Sequence, residues 1–369
     1  MTDAARLRLV VAGGGTGGHL YPALAIADEI RRRHPDAAIT FAGAAGRIEA
    51  RVVPEAGYPF VALWVSGFRR RLGVATLAFP VKLAVAMVQS LALILRAKPD
   101  VVVGTGGFAS GPVLAAAQLL GRRTLLQEQN SVPGATTRML ARRADEVHVT
   151  FEASVRLLPR GATVRVSGNP TRRAMGSVAR GEAAAHFGLD PARRTLLVFG
   201  GSRGAASINR AVAAGVAVLA AGGVQVIWQT GEEEYARLSA AHGSDRGNVK
   251  MYPFIERMEF AYAACDLAVC RAGATSLAEL TQTGVPSVLV PYPHAAADHQ
   301  SGNARAMEAA GASLCVKDAD AAAQLLPAVT ALLGDPARLR AMGDAARRLA
   351  RPGAAAAIAD AVERLARGG

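Results

Sequence analysis

The sequence predicts an α/β protein made of two doubly wound parallel sheets, and three observations carry that prediction. Short apolar runs alternate with Ala-rich helical stretches along the chain, the pattern of parallel sheets. Two glycine-rich turns lie about half the chain apart, each directly after an apolar run: Leu9-Val10-Val11-Ala12 leads into Gly13-Gly14-Gly15-Thr16-Gly17-Gly18-His19, and Leu196-Leu197-Val198-Phe199 into Gly200-Gly201-Ser202-Arg203-Gly204. A length of 369 residues suffices for two domains, each with its own core.

In chain order, the first half offers strands at 7–12, 38–42, 100–104, 123–127 and 146–150. Gly168-Asn169-Pro170 then reads as a linker. The second half offers strands at 195–199, 224–229, 249–252, 266–270, 285–290 and 313–316. The expected division is a first domain over 1–167, a second over 168–345 and a helix over 346–369 placed to pack back on the first. Between Phe79 and Leu95 an apolar helix is expected, with Arg69, Arg70 and Arg71 before it and Arg96 and Lys98 after it. Its uncharged stretch after Lys82 falls short of the ~20 residues that cross a bilayer, and Gln89 and Ser90 interrupt it. It reads as a helix packed on the sheet, with an exposed face suited to an anionic membrane surface.

Hydrophobic content of 51% and charged content of 19% describe a folded chain, not a disordered one. Forty-two basic against 29 acidic residues give a formal charge of +13, which attracts nucleic acid, anionic lipid or phosphorylated substrates alike. Aromatic content of only 5%, with no run interleaving Lys or Arg with aromatics, argues against nucleic acid. The odd set Cys265, Cys270 and Cys315 lacks metal-type pairing and suits a reducing compartment. The apolar run after Arg6 and Arg8 reaches glycine within a few residues, so it reads as a first strand and not a signal peptide, and the expected location is cytoplasmic.

A buried strand feeding a helix through a turn with few side chains leaves backbone N–H groups free for phosphate oxygens. Gly13-x-Gly15-x-x-Gly18 matches the dinucleotide pattern, but the strand near Ile39-Thr40-Phe41 runs into Ala42-Gly43-Ala44 and lacks the acidic ribose partner. A second cluster, Gly104-Thr105-Gly106-Gly107-Phe108-Ala109-Ser110-Gly111-Pro112, follows Val101-Val102-Val103. Side by side, these turns would cradle a pyrophosphate through Gly14, Gly15, Gly106, Gly107, Phe108 and Ser110. His19 ends the first turn as a candidate base or loop organiser.

In the second half, Arg271-Ala272-Gly273 leads into Ala274-Thr275-Ser276-Leu277-Ala278-Glu279, small residues at a helix start suited to a diphosphate. Glu279, about a turn further in, is placed to accept both hydrogen bonds of a ribose diol. Pro291-Tyr292-Pro293-His294 and Asp298-His299-Gln300 suit sugar hydroxyls. Neither His294 with His299 nor Asp318 with Asp320 has ligand-type regularity, so no metal and no cofactor is expected.

Together the motifs at 13–19, 104–112, Glu128-Gln129-Asn130, Gly168-Asn169-Pro170-Thr171-Arg172, 200–205 and 271–279 resemble the MurG family of peptidoglycan glycosyltransferases, in order along nearly the whole chain. The resemblance implies a GT-B fold, two Rossmann-like domains with a deep inter-domain cleft. It implies UDP-N-acetylglucosamine as donor and undecaprenyl-pyrophosphoryl-MurNAc-pentapeptide (lipid I) as acceptor, at the cytoplasmic face of the membrane. Carried onto matching positions, Ile255 would read uracil through its backbone and Glu279 would hold the ribose. Ser202 and the 274–278 turn would contact the diphosphate, and Asn130 and Gln300 would orient the sugar. Arg172 belongs to the family's donor site, and Thr16, Gly17 and Gly18 would approach the donor. Gln127 stands where His is common, Phe108 where Tyr is common and Ala272 where Ser is common. Related GT-B transferases with other acceptors, and UDP-N-acetylglucosamine epimerases, share the expected fold.

Overall fold

The computed structural model describes residues 6–66, 79–201, 203–295 and 298–368. The expectations placed on Ser202 and on Arg69, Arg70 and Arg71 lie outside them. The chain forms two compact units, Met1–Arg172 with Pro352–Gly369, and Arg173–Arg351.

The first unit holds β1 (Arg8–Gly13), β2 (Ala38–Ala44), β3 (Phe60–Leu63), β4 (Val101–Gly106), β5 (Arg123–Glu128), β6 (Glu146–Val149) and β7 (Val164–Val166), in the spatial order β3-β2-β1-β4-β5-β6-β7. The second holds β8 (Thr195–Phe199), β9 (Gln225–Gln229), β10 (Asp245–Arg246), β11 (Val249–Tyr252), β12 (Leu267–Cys270), β13 (Ser287–Leu289) and β14 (Ser313–Cys315), in the order β10-β11-β9-β8-β12-β13-β14. All neighbours pair in parallel except β10 with β11. The winding direction reverses between β1 and β4 and again between β8 and β12. In open parallel sheets ligands bind outside the carboxyl ends of the strands at such reversals. Each of these four strands ends in one of the small-residue turns singled out in the sequence.

The central strands are buried on both faces, so their sequences are continuous apolar runs and not alternations. Strands β3, β7 and β10 were not expected from the sequence. They are edge strands of four, three and two residues, too short to show a period. The helix Ala354–Ala366 inserts Ile358, Ala359, Ala361, Val362 and Leu365 into the core made by β1 and the helix Gly17–Arg33. Ion pairs fix it there: Arg33 reaches Asp360 at 2.6 Å and Glu363 at 3.2 Å, and Arg364 reaches Glu146 at 2.6 Å. Burial pushes the Glu146 carboxyl up, but hydrogen bonds from Arg364, Arg165 and His148 outweigh it and hold the group below its ordinary range.

By length and composition the helix Phe79–Ala97 suffices to cross a membrane. Its buried residues Ala86, Ser90, Leu93 and Ile94 nonetheless form a face packed on the first unit, while Val81, Leu83, Val88 and Leu95 are exposed. Cys265 and Cys270 lie in the core of the second unit, where burial pushes both thiols up.

Candidate active site

At the first reversal, the turns after β1 and β4 pack into one another. Gly106, with φ +92°, lies against the His19 ring, and a Cβ there would stand 2.8 Å from Nδ1. The Phe108 ring covers Gly15, and the Arg47 guanidinium lies 6.0 Å from that ring. Thr105 Oγ1 donates to the His19 carbonyl at 2.8 Å, joining the two turns. His19 Nδ1 lies 3.0 Å from the Thr105 carbonyl and 2.9 Å from Gln129 Oε1.

The first turn also holds an anion of its own. Glu49, fully buried, accepts from the Gly15 N–H at 3.0 Å through each carboxylate oxygen and from the Ala44 N–H at 3.0 Å. Gly14 (φ +152°) must be glycine because a Cβ would strike that carboxylate. The Gly15 amide, expected to meet a pyrophosphate, is therefore already engaged. Ser110 is likewise buried, and its hydroxyl donates to the Gly107 carbonyl at 2.9 Å. Gly13, Gly14, Gly15, Gly43, Gly106 and Gly107 thus serve the close approach of the two turns and of these side chains. Beside them, Asn130 is tied to Glu128, which accepts from its N–H at 3.1 Å and its Nδ2 at 3.2 Å, and also from the Gly134 N–H and the Thr137 hydroxyl. Arg172 lies 5.4 Å from the ring of Tyr21, on the helix begun by Thr16, Gly17 and Gly18.

The second reversal is built differently. The helix Ala274–Thr283 begins at Gly273 with no acidic residue in its first turn, so no carboxylate of its own first turn offsets the positive end of its dipole. Thr275, Ser276 and Ala278 are part-exposed, whereas the Leu277 side chain is core and only its backbone faces the helix start. Glu279, 7% exposed, receives a 3.0 Å hydrogen bond from the Tyr262 hydroxyl. Burial first, and then the charge of Glu279, push the Tyr262 phenol well up, so it remains a donor. The Gly200–Gly204 turn is coupled to Ile255 through Gln229, which accepts from the Ile255 N–H at 2.9 Å and donates to the Gly201 carbonyl at 2.9 Å. The Ile255 amide is thus spent within the protein.

Gln300 accepts from the Tyr292 N–H at 2.9 Å and so shapes the loop after β13. Arg271 joins that loop to the site: it donates to the Val290 and Pro291 carbonyls and to Ser207, pairs with Asp318 at 2.5 Å, and lies 5.5 Å from the Tyr292 ring. Burial pushes the Asp318 carboxyl up, but hydrogen bonds from Ser207 and Arg271 more than offset it and hold it low. Among the described residues no group of three or more His, Cys, Asp or Glu is placed to hold a metal ion. The sequence reading assigned no role to Glu49, Gln129, Gln229 or Tyr262. Each is a polar or phenolic residue outside the glycine-rich turns, and nothing in its local sequence separates a buried anchor from a solvated side chain.

Residues 9–149 match the glycosyltransferase family 28 N-terminal domain and residues 195–365 the family 28 C-terminal domain. The chain is 46% identical over 361 residues to the UDP-N-acetylglucosamine--N-acetylmuramyl-(pentapeptide) pyrophosphoryl-undecaprenol N-acetylglucosamine transferase of Chlorobaculum tepidum, covering 96% of this chain and 98% of that protein. It is also 46% identical to the same-named enzyme of Salinibacter ruber over 359 residues, covering 97% and 96%. The crystal structure of Acinetobacter baumannii MurG superposes with a TM-score of 0.74 at 27% identity, covering 97% of this chain and 99% of that one. A putative UDP-N-acetylglucosamine 2-epimerase from Listeria monocytogenes, 13% identical with a TM-score of 0.72 over 97% and 96% of the two chains, shares the fold alone.

Two doubly wound units, each with small-residue turns at its reversal, define the GT-B fold, and the family 28 matches make the chain a glycosyltransferase of that fold. Within that class the chain belongs to glycosyltransferase family 28 and, at this identity over nearly its whole length, to the MurG family.

Proposed function

We propose that the protein transfers N-acetylglucosamine from UDP-N-acetylglucosamine to the muramoyl 4-hydroxyl of lipid I, forming lipid II for peptidoglycan synthesis. Nearly full-length identity of 46% to transferases of that name carries this reading. In the second unit, the open start of the helix Ala274–Thr283 supports diphosphate binding, and Glu279, steadied by Tyr262, supports ribose binding. Asn130, Arg172 and Gln300 are assigned to the donor sugar and its surroundings, and the 104–112 turn with Gly14 and Phe108 to the acceptor's pyrophosphate end.

The reaction is a single displacement with inversion. The acceptor oxygen forms a bond to the anomeric carbon as the bond from that carbon to the UDP oxygen breaks, its electron pair leaving with UDP. The hydroxyl proton passes to a base, for which His19 is the candidate. Helix-start amides and the hydroxyls of Thr275 and Ser276 stabilise the charge that develops on the leaving diphosphate.

The exposed face of the helix Phe79–Ala97 supports seating on the cytoplasmic face of the membrane, where the acceptor's lipid resides. Trp64 is half-exposed beside it, its backbone N–H donates to Gln89 Oε1 at 2.9 Å, and Lys82 lies 5.6 Å from its ring. An apolar face bordered by an aromatic and a cation suits the headgroup layer.

The deciding experiment incubates the protein with UDP-N-acetylglucosamine, with and without a soluble lipid I analogue, and follows UDP release and product mass. UDP release that depends on the acceptor, with one N-acetylhexosamine added to it, is expected. Turnover of the UDP-sugar without acceptor would instead favour epimerisation.

A further inference from the structure

The surroundings of His19 settle which of its ring nitrogens carries the proton. A backbone carbonyl can only accept. Gln129 places a side-chain terminal atom 2.6 Å from the Thr105 carbonyl, so that atom is the amide nitrogen. Its other terminal atom, 2.9 Å from His19 Nδ1, is therefore the oxygen. Nδ1 also lies 3.0 Å from the Thr105 carbonyl. Facing two oxygens with no proton to give, Nδ1 must be the protonated nitrogen of the neutral ring, and Nε2 holds the lone pair.

We propose that Gln129 is a positioning residue that, with the Thr105 carbonyl, locks His19 in the Nδ1–H tautomer and so leaves Nε2 to take the acceptor's proton. The proposal rests on His19 as the base. Nε2 has no hydrogen-bond partner among the described residues, and His19 is only half-buried, so the lone pair is not spent within the protein. Gln129 does not act alone. Its amide nitrogen also donates to Gln127 Oε1, and Gln127 Nε2 donates to Asn169 Oδ1 at 3.3 Å. All three amides are at least 97% buried, and the donors point one way, from the imidazole toward Asn169. In such a chain each bond polarises the next and strengthens the acceptor that the imidazole N–H meets. An amide at 127 keeps fixed donor and acceptor ends and thus fixes the direction of the chain. Gly106 completes the seat, because a side chain there would push the ring off both oxygens.

The direct test is NMR of protein labelled with ¹⁵N-histidine at a pH where the ring is neutral, with His19→Gln to identify the His19 signals. A protonated Nδ1 and an unprotonated Nε2 are expected, and a protonated Nε2 would overturn the proposal. The kinetic test compares Gln129→Met, which loses both the acceptor and the donor, with Gln129→Glu, which keeps an acceptor toward Nδ1. Gln129→Met should lower kcat about 10-fold, the worth of one buried hydrogen bond, with the KM for UDP-N-acetylglucosamine unchanged. Gln129→Glu, protonated so that its hydroxyl replaces the amide donor toward the Thr105 carbonyl while its carbonyl oxygen faces Nδ1, should recover most of that loss. Equal kcat for wild type and Gln129→Met, both folded by thermal melting, would remove Gln129 from the mechanism. If His19→Gln retains the wild-type rate, it is the base assignment that fails, whichever tautomer the spectra show.

Discussion

The two reversal points occupy equivalent places in equivalent sheets, yet one is filled by the protein and the other is left open. After β1, the Glu49 carboxylate sits where a phosphate would meet the Gly15 amide, and the rings of Phe108 and His19 occupy the space beside the glycines. After β8 and β12, a Cβ on Gly201 would meet nothing within 4 Å, and one on Gly273 would meet only Ser276 Oγ at 4.0 Å. A glycine-rich turn is therefore not in itself an anion site. In the first unit the missing side chains let two loops interlock and hold a histidine; in the second, Gly200 and Gly204 admit the backbone of Ala205 and Thr230, and Gly201 and Gly273 face open space among the described residues.

The contrast can be broken most sharply at Glu279. Glu279→Gln, which keeps an acceptor for the Tyr262 hydroxyl, should weaken UDP binding by about 10-fold, ~1.5 kcal/mol for the charge-assisted hydrogen bond whose acceptor becomes an amide donor, with little change in melting temperature. Calorimetric titration with UDP measures the first and thermal melting the second. Glu49→Gln should do the reverse. It puts an amide donor against three backbone N–H bonds in a buried site, so the first unit should lose about 2 kcal/mol in urea denaturation while UDP affinity holds. If UDP affinity fell with it, the filled turn would be part of the donor site after all. Tyr262→Phe sharpens the account of the open site. Losing one neutral donor to Glu279 should cost about 5-fold in UDP affinity and nothing with a 2′,3′-dideoxy analogue, which has no diol to read.

The smallest expected effect concerns acid. The hydrogen bond from Arg32 is the largest influence on the Glu29 carboxyl; burial opposes it, Arg33 adds to it, and the group is held at about 2 instead of its ordinary 4.5. A carboxyl lowered on folding stabilises the fold above its unfolded value and loses that contribution as pH falls. Glu29→Gln should therefore destabilise the first unit by less than ~1 kcal/mol at pH 7, with the difference shrinking between pH 4.5 and pH 2 in urea titrations.

Much of the fold was legible because buried parallel strands write themselves as apolar runs: β8 and β11 fall at the predicted residues, and most of the others within one or two. The short edge strands were not legible, since two to four residues carry no period. Of the candidate site, the turns and Glu279 stood out through small-residue spacing at strand ends. What they do there did not, because Glu49 and Gln129 reach the turns from 34 and 24 residues away, from Gly15 and Thr105 respectively. Sequence spacing cannot announce a contact made by the tertiary fold.

The helix Ala354–Ala366 belongs to the core begun by the first strand, so the chain leaves the first unit after Arg172 and returns to it at Pro352. During synthesis, the whole of the second unit has left the ribosome before the last layer of the first can be laid down. Until then the surfaces of Leu20, Ile26 and Ile30 that this helix covers stay bare, and the earliest-made half of the protein is the last to be completed.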